Sequence, residues 1–176
     1  MKKILIINGN PRSENVAFDD FCVRLKESLI GRGNEVAEIM LRNKRIKDCI
    51  GCYSCWVATP GKCALKDDQE EILKAFVNMD LVILASPLIM GFISADLKKI
   101  NDRMIPLAHP FLRLADNRMA HYPRYDKIAK MGLIIEKDQY YDDNVMKIIN
   151  KIYSYASFVK FIDNNAEEIA DEAYNL

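Results

Sequence analysis

Lys3-Ile4-Leu5-Ile6-Ile7-Asn8-Gly9-Asn10-Pro11-Arg12-Ser13-Glu14-Asn15 is the stretch from which the fold reads outward. Its first half is apolar without alternation, which suits a strand covered on both faces, as in a parallel sheet. Its second half is a polar turn leading into Phe18, Phe21, Cys22, Leu25 and Leu29 at helical spacing, with Gly31 and Gly33 as the stop. The same texture recurs along the chain. Asp80 to Ser86 and Ala129 to Glu136 read as buried strands, and Glu35 to Leu41 is a fourth candidate. Phe158 to Ile162 is a fifth, whose Lys160 suggests an edge.

Helical patterns lie between these strands. Asp68 followed by Glu71 predicts a capping box opening a helix with Ile72, Leu73, Phe76 and Val77 on one face. Ser94 caps a helix through Leu97, Ile100 and Met104 that ends at Pro106. Val145, Ile148, Ile149 and Ile152 mark a fourth helix, and Ile169, Ala170 and Ala173 a fifth. Alternation of this kind predicts a three-layer α/β sandwich with right-handed crossovers. The 176 residues fit one domain of about 100–200, so the expectation is a single domain over 1–176.

Composition excludes several function classes. Lys plus Arg equals Asp plus Glu at 25 each, which removes the basic surplus that nucleic acid or an anionic membrane demands. The four apolar residues Ile4 to Ile7 are too few for a signal-peptide core of about 7–15 or a membrane span of about 20. The protein is expected to be cytoplasmic. In that reducing compartment cysteines point to metal or redox chemistry before disulfides. Four of the five cysteines fall between Cys49 and Cys63.

In open parallel sheets a ligand sits beyond the carboxyl ends of the strands. The loop after the first strand offers helix-start N–H groups for a phosphate, donors from Asn10, Ser13 and Asn15, and the planar charge of Arg12. It matches neither a Walker A motif nor G-x-G-x-x-G; an ordinary capped polar turn is the alternative. The loop after the third strand, Ser86-Pro87-Leu88-Ile89-Met90-Gly91-Phe92, is apolar where connections are usually polar. It suits a flat aromatic ligand, with packing under residues 108–121 as the alternative.

Together these blocks resemble the flavodoxin-like NAD(P)H-dependent FMN reductase family, and within it the iron–sulfur flavoproteins. The carrying residues are Gly9-Asn10-Pro11-Arg12-Ser13-Glu14-Asn15, close to the family's G-S-P-R-x-x-x-N, and Cys49-Ile50-Gly51-Cys52-Tyr53-Ser54-Cys55-Trp56 with Cys63 and Lys66-Asp67-Asp68. Ser86-Pro87 with Gly91, and Leu97-Lys98 with Asp102-Arg103, complete the set. The resemblance implies a five-stranded parallel sheet of order 2-1-3-4-5. It also implies FMN, with its phosphate on Asn10, Pro11, Arg12, Ser13, Asn15 and Val16 and its ring on Pro87, Leu88, Ile89, Met90 and Gly91. NADH or NADPH would be the co-substrate, a small molecule or protein the electron acceptor, and a homodimer or homotetramer the assembly. Val16 departs from the family's Ser or Thr, and Ile89 from a common aromatic.

Cys49, Cys52, Cys55 and Cys63 read C-x2-C-x2-C-x7-C. The opening matches a bacterial ferredoxin run, but the last gap is longer and no Pro follows Cys63. Zinc more often takes two separated cysteine pairs. The resemblance implies a [4Fe–4S] cluster on these four residues, while a cluster-free loop and a zinc site stay open. Cys22, on an apolar helical stripe, reads as core. No catalytic residue is assigned, because a flavin carries hydride chemistry without a protein base. His109 and His121 read as surface or interface residues, Tyr140 and Tyr141 as flanking the ring or merely exposed, and Trp56 as packing the cysteine loop onto the domain.

The functional reading is an FMN-dependent oxidoreductase that takes hydride from NAD(P)H. The alternatives are a non-enzymatic flavodoxin-type or iron–sulfur electron carrier, and a redox- or metal-sensing module. Carriers of the flavodoxin type are usually strongly acidic, so zero net charge argues against the first alternative.

Overall fold

The computed structural model describes residues 1–115, 118–139, 141–162 and 165–176. Five parallel strands, β1 (Lys3–Asn8), β2 (Glu35–Met40), β3 (Leu81–Pro87), β6 (Lys130–Glu136) and β7 (Phe158–Ile162), form one sheet of order β2-β1-β3-β6-β7. That is the expected order 2-1-3-4-5, with β6 and β7 as the fourth and fifth strands read from the sequence. β3 is central, and β1 beside it is an inner strand, pairing Ile4 to Val36 on one side and to Leu81 on the other.

Continuous apolar runs in β1 and β3 have a direct structural cause, since both faces of these strands are covered. Ile4, Ile6, Leu81, Ile83 and Ala85 pack against α1 (Val16–Gly31) and α6 (Ala166–Asn175). Leu5, Ile7, Val82 and Leu84 pack on the opposite side with α3 (Gln69–Asn78), α4 (Ala95–Asp102) and α5 (Asp143–Ile152). Period-2 alternation thus sends successive apolar residues into two different cores. Cys22 is fully buried in the first of them, as its place on the stripe required.

The helix ends follow local rules. Gly33 takes φ +80°, and its N–H bonds Ile30 O while the Asn34 N–H bonds Leu29 O, a Schellman stop for α1. Ser94 accepts from the Leu97 N–H and caps α4 as expected. Two expectations are corrected. Asp68 caps nothing with its side chain, because its carboxylate accepts from the Arg45 N–H instead, so no capping box opens α3. α4 stops at Asp102 rather than Pro106, and Pro106 sits in a separate 3-10 turn, Ile105–Leu107.

One unit was not anticipated. β4 (Ala108–Ala115) and β5 (Arg118–Pro123) form an antiparallel pair apart from the main sheet. It exposes Phe111, Leu114 and Met119 by 69%, 71% and 66%. A short helix, α2 (Ser54–Val57), lies in the cysteine segment. Among the described residues no helix is long and apolar enough to cross a membrane.

Candidate functional site

Three loops leave the carboxyl edge of the sheet together, and backbone bonds lock them. Gly9 N–H bonds Ala85 O at 2.7 Å, joining the ends of β1 and β3, and Leu88 N–H bonds Glu136 O at 2.9 Å, joining β3 to β6. Gly9 is required by that closeness, because a Cβ there would meet Ala85 O at 2.9 Å. Asn15 stitches the first loop to β6, donating its amide to Glu136 at 2.8 Å while its carbonyl oxygen caps α1 at the Phe18 N–H.

The first loop divides into an inner frame and an outer rim. Asn10 is fully buried; its amide donates to Asn15 O at 3.1 Å and Asp19 at 3.0 Å, and its oxygen accepts from the Arg12 N–H. Its donors shape the loop and do not face outward. Asp19 is the hub behind it, accepting from Asn8 and Asn10 and pairing with Arg42 at 2.8 Å. Burial pushes the Asp19 carboxyl up, but hydrogen bonds from Arg42, Asn10 and Asn8 outweigh it and hold the pKa below the usual carboxylate value. Pro11, Arg12, Ser13 and Val16 form the exposed rim beside the start of α1. The first two N–H groups of that helix, on Val16 and Ala17, have no intrahelical partner.

The loop after β3 is a tight hairpin turn. Ile89 and Phe92 exchange backbone bonds of 2.7 and 3.1 Å across Met90 (φ +51°) and Gly91 (φ +78°). Both φ values are positive, as a type I′ turn requires. Pro87 and Leu88 are buried, Leu88 in the core, while Met90 at the tip is 89% exposed. A Cβ on Gly91 would lie 3.6 Å from Val145 Cγ2, so the turn leans on α5. Tyr141 sets its ring edge-on to Phe161 at 5.3 Å, which ties it to the core. Tyr140 lies outside the described residues.

The second centre is a cavity of about 200 Å³ whose walls include Cys49, Cys52, Cys55 and Cys63, with Tyr53, Arg103 and Pro106. Cys49 and Cys52 are exposed, Cys63 is half-buried and Cys55 is buried. Burial, then the neighbouring Cys63, Cys52 and Cys49, push the Cys55 thiol up, whereas hydrogen bonding to Ser54 draws the Cys52 thiol down. Trp56 fastens the segment, its Nε1–H donating to Ile105 O and Ala108 O at 3.2 and 2.9 Å. Its ring centre lies 5.6 Å from that of Tyr53 and 5.1 Å from that of His121 on β5. His109 lies beside Phe111, with ring centres 6.3 Å apart.

Composition of the wall decides which metal chemistry it suits. Among the described residues no three His, Cys, Asp or Glu side chains converge to hold a single ion. Zinc needs its thiolates on one ion at about 2.3 Å, so a preformed zinc site is not found among them. A four-thiolate cluster takes one cysteine per iron, and four cysteines line this one cavity.

Arg103 and Asp67 were not read as site residues. Their side chains are 1% and 0% exposed and paired at 2.6 Å beneath Cys63. Arg103 follows Leu97 and Ile100 at intervals of three, so it continues the buried stripe of α4 from the position just past its last residue.

Residues 2–119 match the family described as NADPH-dependent FMN reductase. An iron–sulfur flavoprotein from Methanocaldococcus jannaschii is 38% identical over 108 residues, covering 60% of this chain and 53% of that protein. Another, from Archaeoglobus fulgidus, is 36% identical over 109 residues, 62% of this chain and 48% of its own length. The chain therefore spans about half the length of the curated relatives it matches. Among solved structures, an FMN-dependent NADH-azoreductase from Bacillus anthracis in complex with FMN is similar at TM-score 0.61 and 16% identity, covering 99% of this chain and 95% of that one. An NAD(P)H:quinone oxidoreductase from Methanothermobacter marburgensis is similar at TM-score 0.64 and 13% identity, covering 96% and 93%. At those identities the likeness is one of fold. The chain belongs to the NADPH-dependent FMN reductase family, and its sequence relatives are iron–sulfur flavoproteins.

Proposed function

We propose that residues 1–176 form one FMN-binding domain of an oxidoreductase that takes hydride from NADH or NADPH and passes electrons to a small-molecule or protein acceptor. The observation that supports this best is the locked carboxyl edge of the sheet. There the start of α1 and the Met90–Gly91 turn lie on neighbouring strands, and Glu136 joins both to β6.

FMN supplies the hydride acceptor. The chain supplies placement. The Val16 and Ala17 N–H groups, the Ser13 hydroxyl and the Arg12 guanidinium are the donors for its phosphate, in the positive field of a helix start. Asn10 and Asn15 hold that loop in shape from behind. Met90 and Gly91 would carry its ring, Gly91 adding no side-chain bulk to the turn. Glu136 sits at the same edge as an acid, which opposes an electron-rich ring. Cys49, Cys52, Cys55 and Cys63 would hold a [4Fe–4S] cluster, a one-electron store on the acceptor side of the reaction. We further propose a homodimer or homotetramer in the cytoplasm, the exposed β4–β5 pair being the natural surface for a second copy.

Calorimetric titration of the apo-protein with FMN tests the reading. Binding with quenched flavin fluorescence is expected, and Arg12→Ala should weaken it by about 1.5–3 kcal/mol, the range for a hydrogen bond to a charged group. Absence of both heat and quenching in the wild-type protein overturns it.

A further inference from the structure

Cys63 stands furthest along the chain from the other three cysteines, just after a turn in which the Lys62 N–H bonds Thr59 O at 2.9 Å and the Gly61 N–H bonds Cys55 O at 3.0 Å. Cys49, Cys52 and Cys55 share two-residue gaps, whereas Cys63 follows after seven residues. The guanidinium of Arg103 reaches its sulfur. Nη2 donates to the Cys63 sulfur at 3.3 Å and to Asp67 Oδ1 at 2.9 Å. Nη1 donates to Asp67 Oδ2 at 2.6 Å and to Lys47 O at 2.9 Å. One buried side chain therefore ties the end of α4 to the entry of the cysteine segment at Lys47 and to its exit at Cys63. Asp67 is fixed in turn, accepting from the Lys47 N–H at 2.9 Å. Arg103 is also a wall of the cavity that the four cysteines line.

We propose that Arg103, clamped by Asp67, is the positioning residue of the cysteine site, setting the Cys63 sulfur for ligation and fixing a positive charge that raises the reduction potential of a bound cluster. This rests on the cluster reading above. Arginine stays charged at any working pH, and its planar fork gives two N–H groups to the carboxylate, one to the Lys47 carbonyl and one to the sulfur. Hydrogen bonds to ligand sulfur and nearby charge are among the levers that set cluster potentials. An N–H donated to a ligand sulfur stabilises the added electron, and of the ion pair it is the cationic partner that meets the sulfur. The pair is buried, and one of its N–H groups ends on the Cys63 sulfur. Its removal as a pair, with apolar residues in its place, is often neutral for stability.

The test compares three proteins after anaerobic reconstitution with iron and sulfide: wild type, Arg103→Lys, and the double variant Arg103→Met/Asp67→Leu. The double variant leaves no unpaired buried charge, so it keeps the test alive if a single charge removal unfolds the chain. Circular dichroism and FMN titration establish that each is folded. Iron per chain, the rate of iron loss to a chelator, and the midpoint potential by spectroscopic redox titration are then read. The double variant should show a more negative midpoint and lose iron at least about tenfold faster, the usual scale for an outer-shell partner. Arg103→Lys, which keeps the charge but not the fork, should stay near the wild-type midpoint with intermediate iron loss. A folded, FMN-binding double variant that takes up no iron also supports the assignment. Equal midpoints and equal iron loss in wild type and double variant overturn it while leaving the cluster reading intact. A wild-type protein that binds FMN and takes up no iron overturns the cluster reading, and the assignment of Arg103 with it.

Discussion

The carboxyl edge of the sheet and the cysteine segment each carry one non-glycine residue at positive φ, Met90 at +51° and Tyr53 at +53°, and hold it by different means. Met90 sits in a turn whose flanks pair with each other and whose strand is central in the sheet, so secondary structure dictates the loop. Tyr53 precedes a four-residue helix outside the five-stranded sheet, and long-range side-chain bonds of Trp56, Arg103 and Asp67 hold its surroundings. One region is specified locally and the other by a few distant anchors. Damage should therefore spread differently in each.

The largest effect is expected where an anchor is cut. Asp67→Ala leaves the Arg103 charge buried and alone, at a cost of about 3–5 kcal/mol. Urea unfolding measures it, and limited proteolysis should cut first between Lys47 and Lys66 while the FMN affinity of the remaining folded protein changes little. A uniform loss of protection across the chain would break the contrast between the regions.

Asp19→Asn comes next, at about 1.5–3 kcal/mol, because it weakens charged hydrogen bonds behind the first loop. Its sign with pH is fixed. The folded pKa of Asp19 is depressed, so its stabilisation is present above the unfolded value near 3.9 and is lost as pH falls through the folded value. The gap between wild type and variant should be full at pH 7 and should narrow between pH 4 and lower values. A gap that is constant over that window contradicts the assignment of Asp19 as a charged hub. FMN binding should weaken in this variant, unlike in Asp67→Ala.

Trp56→Phe is expected to be smallest. It removes one N–H shared between Ile105 O and Ala108 O but keeps the ring, a loss of about 1 kcal/mol. Equilibrium unfolding at pH 7 checks this, and a loss several times larger would mean that the indole fixes more than the cysteine segment.

The same division governs what the sequence discloses. Strand texture, helix periodicity and the Ser94 cap are encoded within a few residues, so the five strands and their helices are legible, whereas the strand order rests on the family resemblance. The capping box fails because Asp68 has a better partner in Arg45, more than twenty positions away in sequence and invisible to a local rule. The β4–β5 pair escapes for a different reason. Phe111, Leu112, Leu114 and Met119 are apolar yet exposed, so no alternation between core and solvent marks the strands. Asn10 is readable as part of a phosphate loop, but not that its donors turn inward, since Asp19 belongs to the following helix. Arg103 resembles a solvated helix end by residue type, and only its register with Leu97 and Ile100 reveals burial.

Anaerobic mixing of FMN-loaded protein with excess NADH, and separately NADPH, decides whether the flavin takes hydride from a nicotinamide. At least one nucleotide should bleach the flavin absorbance within turnover times, and readmitting an acceptor should restore it. Flavin that a strong chemical reductant bleaches but neither nucleotide does would contradict the oxidoreductase reading and leave an electron carrier in its place.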